Sequence, residues 1–218
     1  MKLITFFSKS HACLYKKFMN TFPYDEDVDL IVRYMPQECD GNFDVWSESW
    51  MKTMYRKVQY IIEYLDELKN GELLIHADID IIFYKPFAKD LRKLMCDSKD
   101  DIMFQNDGNA LCMGFFVVRK SDEIVQLFNT VYERMKDYEH DQDAMNKIIH
   151  TSNIQYGILP ERYFSYGTLN GLKRWTPEYT HINVPHDIVI HHANWTVGIE
   201  NKLKLIQQVK EIITDREI

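Results

Sequence analysis

Leu73-Leu74-Ile75-His76-Ala77-Asp78-Ile79-Asp80 is an apolar run that ends in two aspartates one residue apart, and Ile81-Ile82-Phe83 resumes the apolar run at once. The first three residues read as a buried strand, and Pro86 closes the stretch. Two acids embedded in core-like sequence are costly unless a cation or hydrogen bonds compensate them. In parallel sheets ligands gather beyond the carboxyl ends of the strands. Carboxylates there can hold a hard divalent cation, and phosphate oxygens can complete its shell. The stretch therefore predicts both a central strand and a metal-assisted anion site at its end.

Outward from this stretch, strand and helix patterns alternate. Residues 3–7 form a compact apolar run followed by the polar Ser8-Lys9-Ser10, which predicts a first strand and a loop. Residues 12–22 carry Leu14, Phe18 and Phe22 at helical spacing, and residues 29–33 predict a second strand. Residues 37–44, with Gly41, read as a polar loop. From Ser49 the apolar positions Trp50, Met54, Val58, Ile61, Leu65 and Leu68 are spaced by three and four, an amphipathic helix that Asn70-Gly71 stops. Strands are expected at 101–104, 115–118 and 188–190. Helices are expected from Ser121-Asp122 to about Met135, from Asp141, and over 200–214, with an irregular segment at 151–185. This order predicts an α/β fold with a mainly parallel central sheet flanked by helices, in one domain spanning 1–218.

The 218 residues are 45% hydrophobic, 27% charged and 13% aromatic, enough for a sizeable core and unlike a disordered chain. The net charge of -7 and the lack of a basic run give no support to a nucleic-acid partner. An acidic protein can still bind an anionic nucleotide where a metal supplies local positive charge. Cys13, Cys39, Cys96 and Cys112 are scattered, which predicts reduced thiols rather than a zinc site or disulfide framework. No apolar run is long enough to span a bilayer, and the first residues read as a strand rather than a signal peptide. A cytoplasmic protein is expected. Asn194-Trp195-Thr196 matches a glycosylation sequon but is read as coincidence.

Two further clusters carry chemistry. In Ile190-His191-His192-Ala193-Asn194-Trp195, a histidine past a strand end can complete a metal site, and the residues alone leave His191 and His192 open. Gly198 allows close backbone approach, and Lys202 can sit on a phosphate. Asp141 or Asp143 can cap the helix that follows, or Asp141 and Gln142 can face a reacting group.

Taken together these residues resemble the GT-A-fold nucleotide-diphospho-sugar transferases. Asp78-Ile79-Asp80 matches that family's D-x-D after an apolar strand. Cys112-Met113-Gly114-Phe115-Phe116 resembles its glycine turn, Asp141-Gln142 its helix-opening pair, and His192 with Gly198 and Lys202 its C-terminal motif. The Ala-Asn-Trp after His192 favours it over His191 and is similar to small virus-encoded and eukaryotic members, as in a glycan-building enzyme acting in a host cytoplasm. The resemblance implies transfer of a hexosyl or related group from a nucleotide-sugar donor, UDP being typical, to a glycan or protein acceptor. It implies Mn²⁺ or Mg²⁺ on Asp80, Asp78 and His192, with Asp78 also reaching the ribose. Lys202 would meet the diphosphate, and Thr5, Phe6 and Ser8 the nucleoside. Gly114 would border the donor, Gly198 would lie near it, and Asp141 and Gln142 would face the sugar with retention of configuration.

Lys57, on the long helix, is a candidate nucleotide contact, although a helix lysine is expected to be exposed. Met113 departs from the family's small polar residue. The aromatic segment 163–175 is either a packed loop or part of an acceptor site. Two rival readings are a haloacid-dehalogenase-type phosphohydrolase, which uses D-x-D on its first strand, and an inactive nucleotide-sugar-binding module. A calcium-binding structural domain ranks below both, for want of a ligand-rich loop. The sequence leaves the oligomeric state open.

Overall fold

A computed structural model describes residues 1–24, 27–39, 47–169, 173–179 and 181–216. Most of the expected 37–44 loop, including Gly41, lies outside the described residues. In chain order the elements are β1 (Lys2–Phe7), α1 (Ala12–Thr21), β2 (Asp29–Tyr34), α2 (Glu48–Asp66), β3 (Leu73–Ala77), β4 (Ile81–Phe83), α3 (Ala88–Asp97) and β5 (Ile102–Asn106). They continue with β6 (Leu111–Arg119), α4 (Asp122–Arg134), α5 (Asp141–Ile149), β7 (Tyr156–Ile158), β8 (Tyr163–Ser165), α6 (Tyr166–Leu169), β9 (Ile190–His192) and α7 (Ile199–Asp215).

The main sheet has the order β2-β1-β3-β6-β5-β7. Strands β2, β1 and β3 pair in parallel, as do β5 and β7, while β6 runs antiparallel to both its neighbours. The expected mainly parallel α/β sheet is thus present, with β6 as its one reversed strand among the described residues. A second sheet has the order β4-β9-β8, and its β8 lies against β5 of the first.

Strand alternation divides the apolar residues between two cores. Leu3, Ile75, Met103 and Val117 face α1, α3, α7 and the small sheet. Ile4, Leu74, Phe104 and Val118 face α2, α4 and α5. Ser47 and Ser121 cap α2 and α4 by accepting from the backbone N–H groups of Trp50 and Ile124.

Four local expectations are corrected. The apolar run 81–83 is not a continuation of β3: the chain turns at Asp78, with Ile81 N donating to Asp78 O, and enters the small sheet. The late strand is Ile190–His192 rather than 188–190, so both histidines lie within it. Cys112-Met113-Gly114 lies inside β6 rather than in a turn before it. The segment 151–185 contains β7, β8 and α6, and α3 has no counterpart in the sequence reading. β4, β7, β8 and β9 are three residues long, too short to show a period.

Candidate active site

Asp78 and Asp80 sit on the turn leaving β3. Asp78 N donates to Gly114 O at 2.7 Å and Ala193 N donates to Asp80 O at 3.2 Å, so β6 and β9 hold the turn from two sides. On β9, His192 pairs with Ile81 and His191 with Ile82, and alternation sends the two rings to opposite faces. His192 Nε2 lies 3.4 Å from Asp80 Oδ1. His191 is fully buried, stacks on Phe164 at 5.4 Å between centroids, and makes no hydrogen bond through either ring nitrogen among the described residues. Burial, then the neighbouring His192, pushes His191 down to about 3, so it stays neutral.

One atom each from Asp78, Asp80 and His192 lies within 4.8 Å of the others. Two carboxylates and one imidazole suit a small divalent cation such as Mn²⁺ or Mg²⁺. Gly114 makes the cluster possible. A Cβ there would lie 2.2 Å from His192 Cε1 and 2.9 Å from Asp78 Oδ2, closer than real contacts allow. The residues therefore fit a metal site on chemistry and on space.

Each acid also has a positive neighbour. Lys202 Nζ, reaching from α7, donates to Asp80 Oδ2 at 2.5 Å and to Ala193 O at 2.8 Å. Burial pushes the Asp80 carboxyl up, but Lys202 and then His192 outweigh it and hold it well below the carboxylate range. Burial pushes His192 down, and the Asp80 charge overrides this to hold it well above the usual imidazole value. Asp78 Oδ1 accepts from His76 Nε2 at 2.9 Å and lies 3.6 Å from Lys57 Nζ. Burial raises the Asp78 carboxyl, and Lys57, then His76, pull it below its ordinary value.

Lys57 is not the exposed charge expected of it. Its side chain is 8% exposed and its Nζ lies 2.6 Å from Asp141 Oδ2, pointing from α2 through the protein to α5. Burial lowers its pKa, and the charges of Asp141 and then Asp78 raise it well above the ordinary lysine value. Helical spacing places Lys57 next to Val58 and one turn before Ile61 on the buried side, a contact that no local pattern announces.

A cavity of about 390 Å³ opens over this cluster. Phe6, Ser8, Lys57, Asp78, Asp80, Gly114, Asp141, Gln142, His192 and Lys202 all line it. Thr5 and Gly198, expected near the donor, do not. Thr5 is fully buried in β1 on the opposite side from Phe6. Gly198 (φ 86°) is the N-cap of α7 and accepts from Lys202 N at 3.1 Å, so it aims Lys202 rather than touching the cavity.

Sequence reasoning missed Asp107, which is 5% exposed and lines the cavity. Its carboxylate accepts from Gln142 Nε2 (2.9 Å), Ser165 Oγ (3.2 Å), Asn194 Nδ2 (2.8 Å) and Trp195 Nε1 (2.6 Å). Asn194 of the sequon is therefore committed inside the site. The position of Asp107 just after β5, with partners far along the chain, gave no sequence signal. Of the two readings of the aromatic segment, the burial of Tyr163, Phe164, Tyr166 and Trp175 favours packed core. Arg174 alone from that segment reaches the cavity lining among the described residues.

The family profile of nucleotide-diphospho-sugar transferases matches residues 26–206. The chain belongs to this family. The haloacid-dehalogenase reading accordingly falls. No curated protein matches the sequence. Among solved structures, this family member is similar to a glycosyltransferase involved in the glycosylation of the major capsid of PBCV-1, at 9% identity and TM-score 0.66, covering 94% of this chain and 98% of that one. It is also similar to the glycosyltransferase GlyE of Streptococcus pneumoniae TIGR4 (14% identity, TM-score 0.56, 98% of this chain) and to the bifunctional glycosyltransferase WbbM (11%, 0.63, 99%). It spans 63% of the GlyE chain and 51% of the WbbM chain. At these identities the likeness is one of fold, and the nucleotide-diphospho-sugar transferase domain is what the family match establishes. No described helix is long and apolar enough to cross a membrane.

Proposed function

We propose that this protein is a single-domain, metal-dependent glycosyltransferase that moves a sugar from a UDP-sugar to a glycan or protein acceptor with retention of configuration. The observation that carries the reading is the convergence of Asp78, Asp80 and His192 on one cavity, with room for their ligand atoms only because Gly114 lacks a Cβ.

Asp78, Asp80 and His192 would hold Mn²⁺ or Mg²⁺, His192 releasing its Nε2 proton to do so. The metal supplies charge neutralisation for the departing diphosphate. Lys202, now on Asp80, is placed to exchange that carboxylate for a diphosphate oxygen. Phe6 and Ser8, at the end of β1, line the cavity and would contact the nucleoside.

Retention is supported by the state of the cavity carboxylates. An inverting reaction needs a free general base near the acceptor. Glu38 is paired with Arg56 at 2.6 Å, Asp141 with Lys57, and Asp107 takes four hydrogen bonds. Gln142 Oε1 accepts from Met113 N at 3.1 Å while its Nε2 serves Asp107, which fixes the amide beside the cavity for contact with the sugar.

The test is a panel of nucleotide sugars incubated with Mn²⁺ or with chelator, reading released nucleoside diphosphate and, by NMR, the anomeric configuration of the product. Metal-dependent release from a UDP-sugar, lost in Asp80→Ala, is expected. Tight metal-dependent nucleotide binding with no turnover on any donor or acceptor would instead make this an inactive binding module. Release undiminished by chelator would sink the metal assignment.

A further inference from the structure

On the reading that Asp78, Asp80 and His192 hold a divalent cation, we infer that Gln105 is the positioning residue that makes His192 a ligand through Nε2. Gln105 is fully buried at the end of β5. Its Nε2 donates to Tyr163 O on β8 at 3.2 Å, which uses the amide's donor end and turns Oε1 the other way. Oε1 lies 2.9 Å from His192 Nδ1. A carbonyl oxygen can only accept, so Nδ1 keeps its hydrogen, and Nε2, which faces Asp80, is the nitrogen that gives up its proton to a metal.

The backbone is shaped for this contact. The β5–β6 ladder runs in register from Ile102↔Val118 to Phe104↔Phe116 and then jumps to Gln105↔Cys112. The break falls at Gln105. Such irregularities bend a strand and re-aim a side chain. Here the amide bridges the main sheet to both β8 and β9 of the small one. Cys112 Sγ, 3.6 Å from His192 Nδ1, is the other atom near that nitrogen. A thiol sulfur is a weak acceptor and a poorer partner for Nδ1–H than the amide oxygen. Ring partners opposite a metal fix both the tautomer and the orientation of a ligating histidine, and removing them costs about 10–100-fold in metal affinity.

The experiment measures Mn²⁺ affinity by calorimetry for wild type, Gln105→Met and Gln105→Glu, with thermal melts to verify folding. Gln105→Met, which keeps length and loses the acceptor, is expected to bind about 10–100-fold more weakly. Gln105→Glu, which keeps an acceptor, is expected to recover most of that loss. A folded Gln105→Met with wild-type affinity overturns the inference. Nitrogen-15 NMR of wild type loaded with Zn²⁺, a diamagnetic probe, gives an independent decision should the variants fail to fold. The coordination shift is expected on His192 Nε2 with the proton on Nδ1, and a shift on Nδ1 overturns the assignment. Failure of wild type to bind Mn²⁺ or Zn²⁺ would strike the metal reading itself, whereas equal binding by wild type and Gln105→Met would strike only the role of Gln105.

Discussion

On the proposed metal reading, Lys202 and a divalent cation compete for one carboxylate, and replacing the lysine separates its two roles. Lys202 Nζ donates to Asp80 Oδ2 at 2.5 Å, and the two side chains are 12% and 8% exposed. Unit charges about 4 Å apart at an effective dielectric near 20 interact by about 4 kcal/mol. A third of that, about 1.4 kcal/mol, is tenfold in an equilibrium constant. Lys202→Met should therefore bind Mn²⁺ alone about tenfold more tightly, because the ion no longer has to displace an ammonium. The same change removes a charge-assisted hydrogen bond to the diphosphate, about 1.5–3 kcal/mol. UDP, in saturating Mn²⁺, should consequently bind about 10- to 100-fold more weakly. Calorimetric titration of each ligand measures both arms. The opposite signs are the diagnostic outcome. Weaker Mn²⁺ binding in Lys202→Met, or no change in either affinity, would refute the idea that this lysine is a counter-ion of the Asp80 carboxylate and a partner of the diphosphate.

Gly114→Ala places a Cβ 2.2 Å from His192 Cε1, so Mn²⁺ affinity should fall by more than about tenfold, with about 1–3 kcal/mol of overpacking cost in urea unfolding. Unchanged metal binding in this variant would contradict the cradle described for that position. Lys57→Met strands the Asp141 carboxylate in the core and should cost about 3–5 kcal/mol, whereas Lys57→Met with Asp141→Leu should cost clearly less than the two single changes summed, both read by urea unfolding. His191→Phe removes two ring nitrogens that have no partner among the described residues, and should leave stability within about 1 kcal/mol or raise it in thermal melts, with Mn²⁺ affinity unchanged. Burial raises the Asp90 carboxyl, but the hydrogen bonds from Arg162 (2.9 Å) and Tyr163 (2.8 Å) hold it below its ordinary value. That depressed pKa contributes stability which is complete above the unfolded value near 3.9 and is lost as pH falls through the folded one. Asp90→Asn should accordingly cost about 1 kcal/mol between pH 5 and 7, the difference closing below about pH 4 in pH-dependent denaturation.

Much of the framework was legible because it is local. The three-and-four spacing from Trp50 to Leu65 fixed α2, since an amphipathic helix buries one stripe whatever it packs against. Ser121 announced α4 through its side chain, which needs only the backbone three residues on. Asp78 and Asp80 stood out because two acids between apolar strands have no inexpensive structural explanation. Shorter pieces such as β7, β8 and α6 escaped notice, as three or four residues carry no period and tertiary pairing alone stabilises them.

By itself, then, the sequence determined the alternation of strands and helices, the central strand that ends in an acidic pair, and the order of the motifs along the chain, all of which rest on neighbours within a few residues. Only the tertiary structure brought His192 rather than His191 beside Asp78 and Asp80, because that depends on the register of β9 against β4. It also turned Lys57 inward to Asp141, joined Gln105 to His192 across 87 positions, and gathered four donors around Asp107. These contacts join residues far apart in the chain, and a buried charge or amide is recognised by what surrounds it in space, which nothing in its immediate sequence encodes.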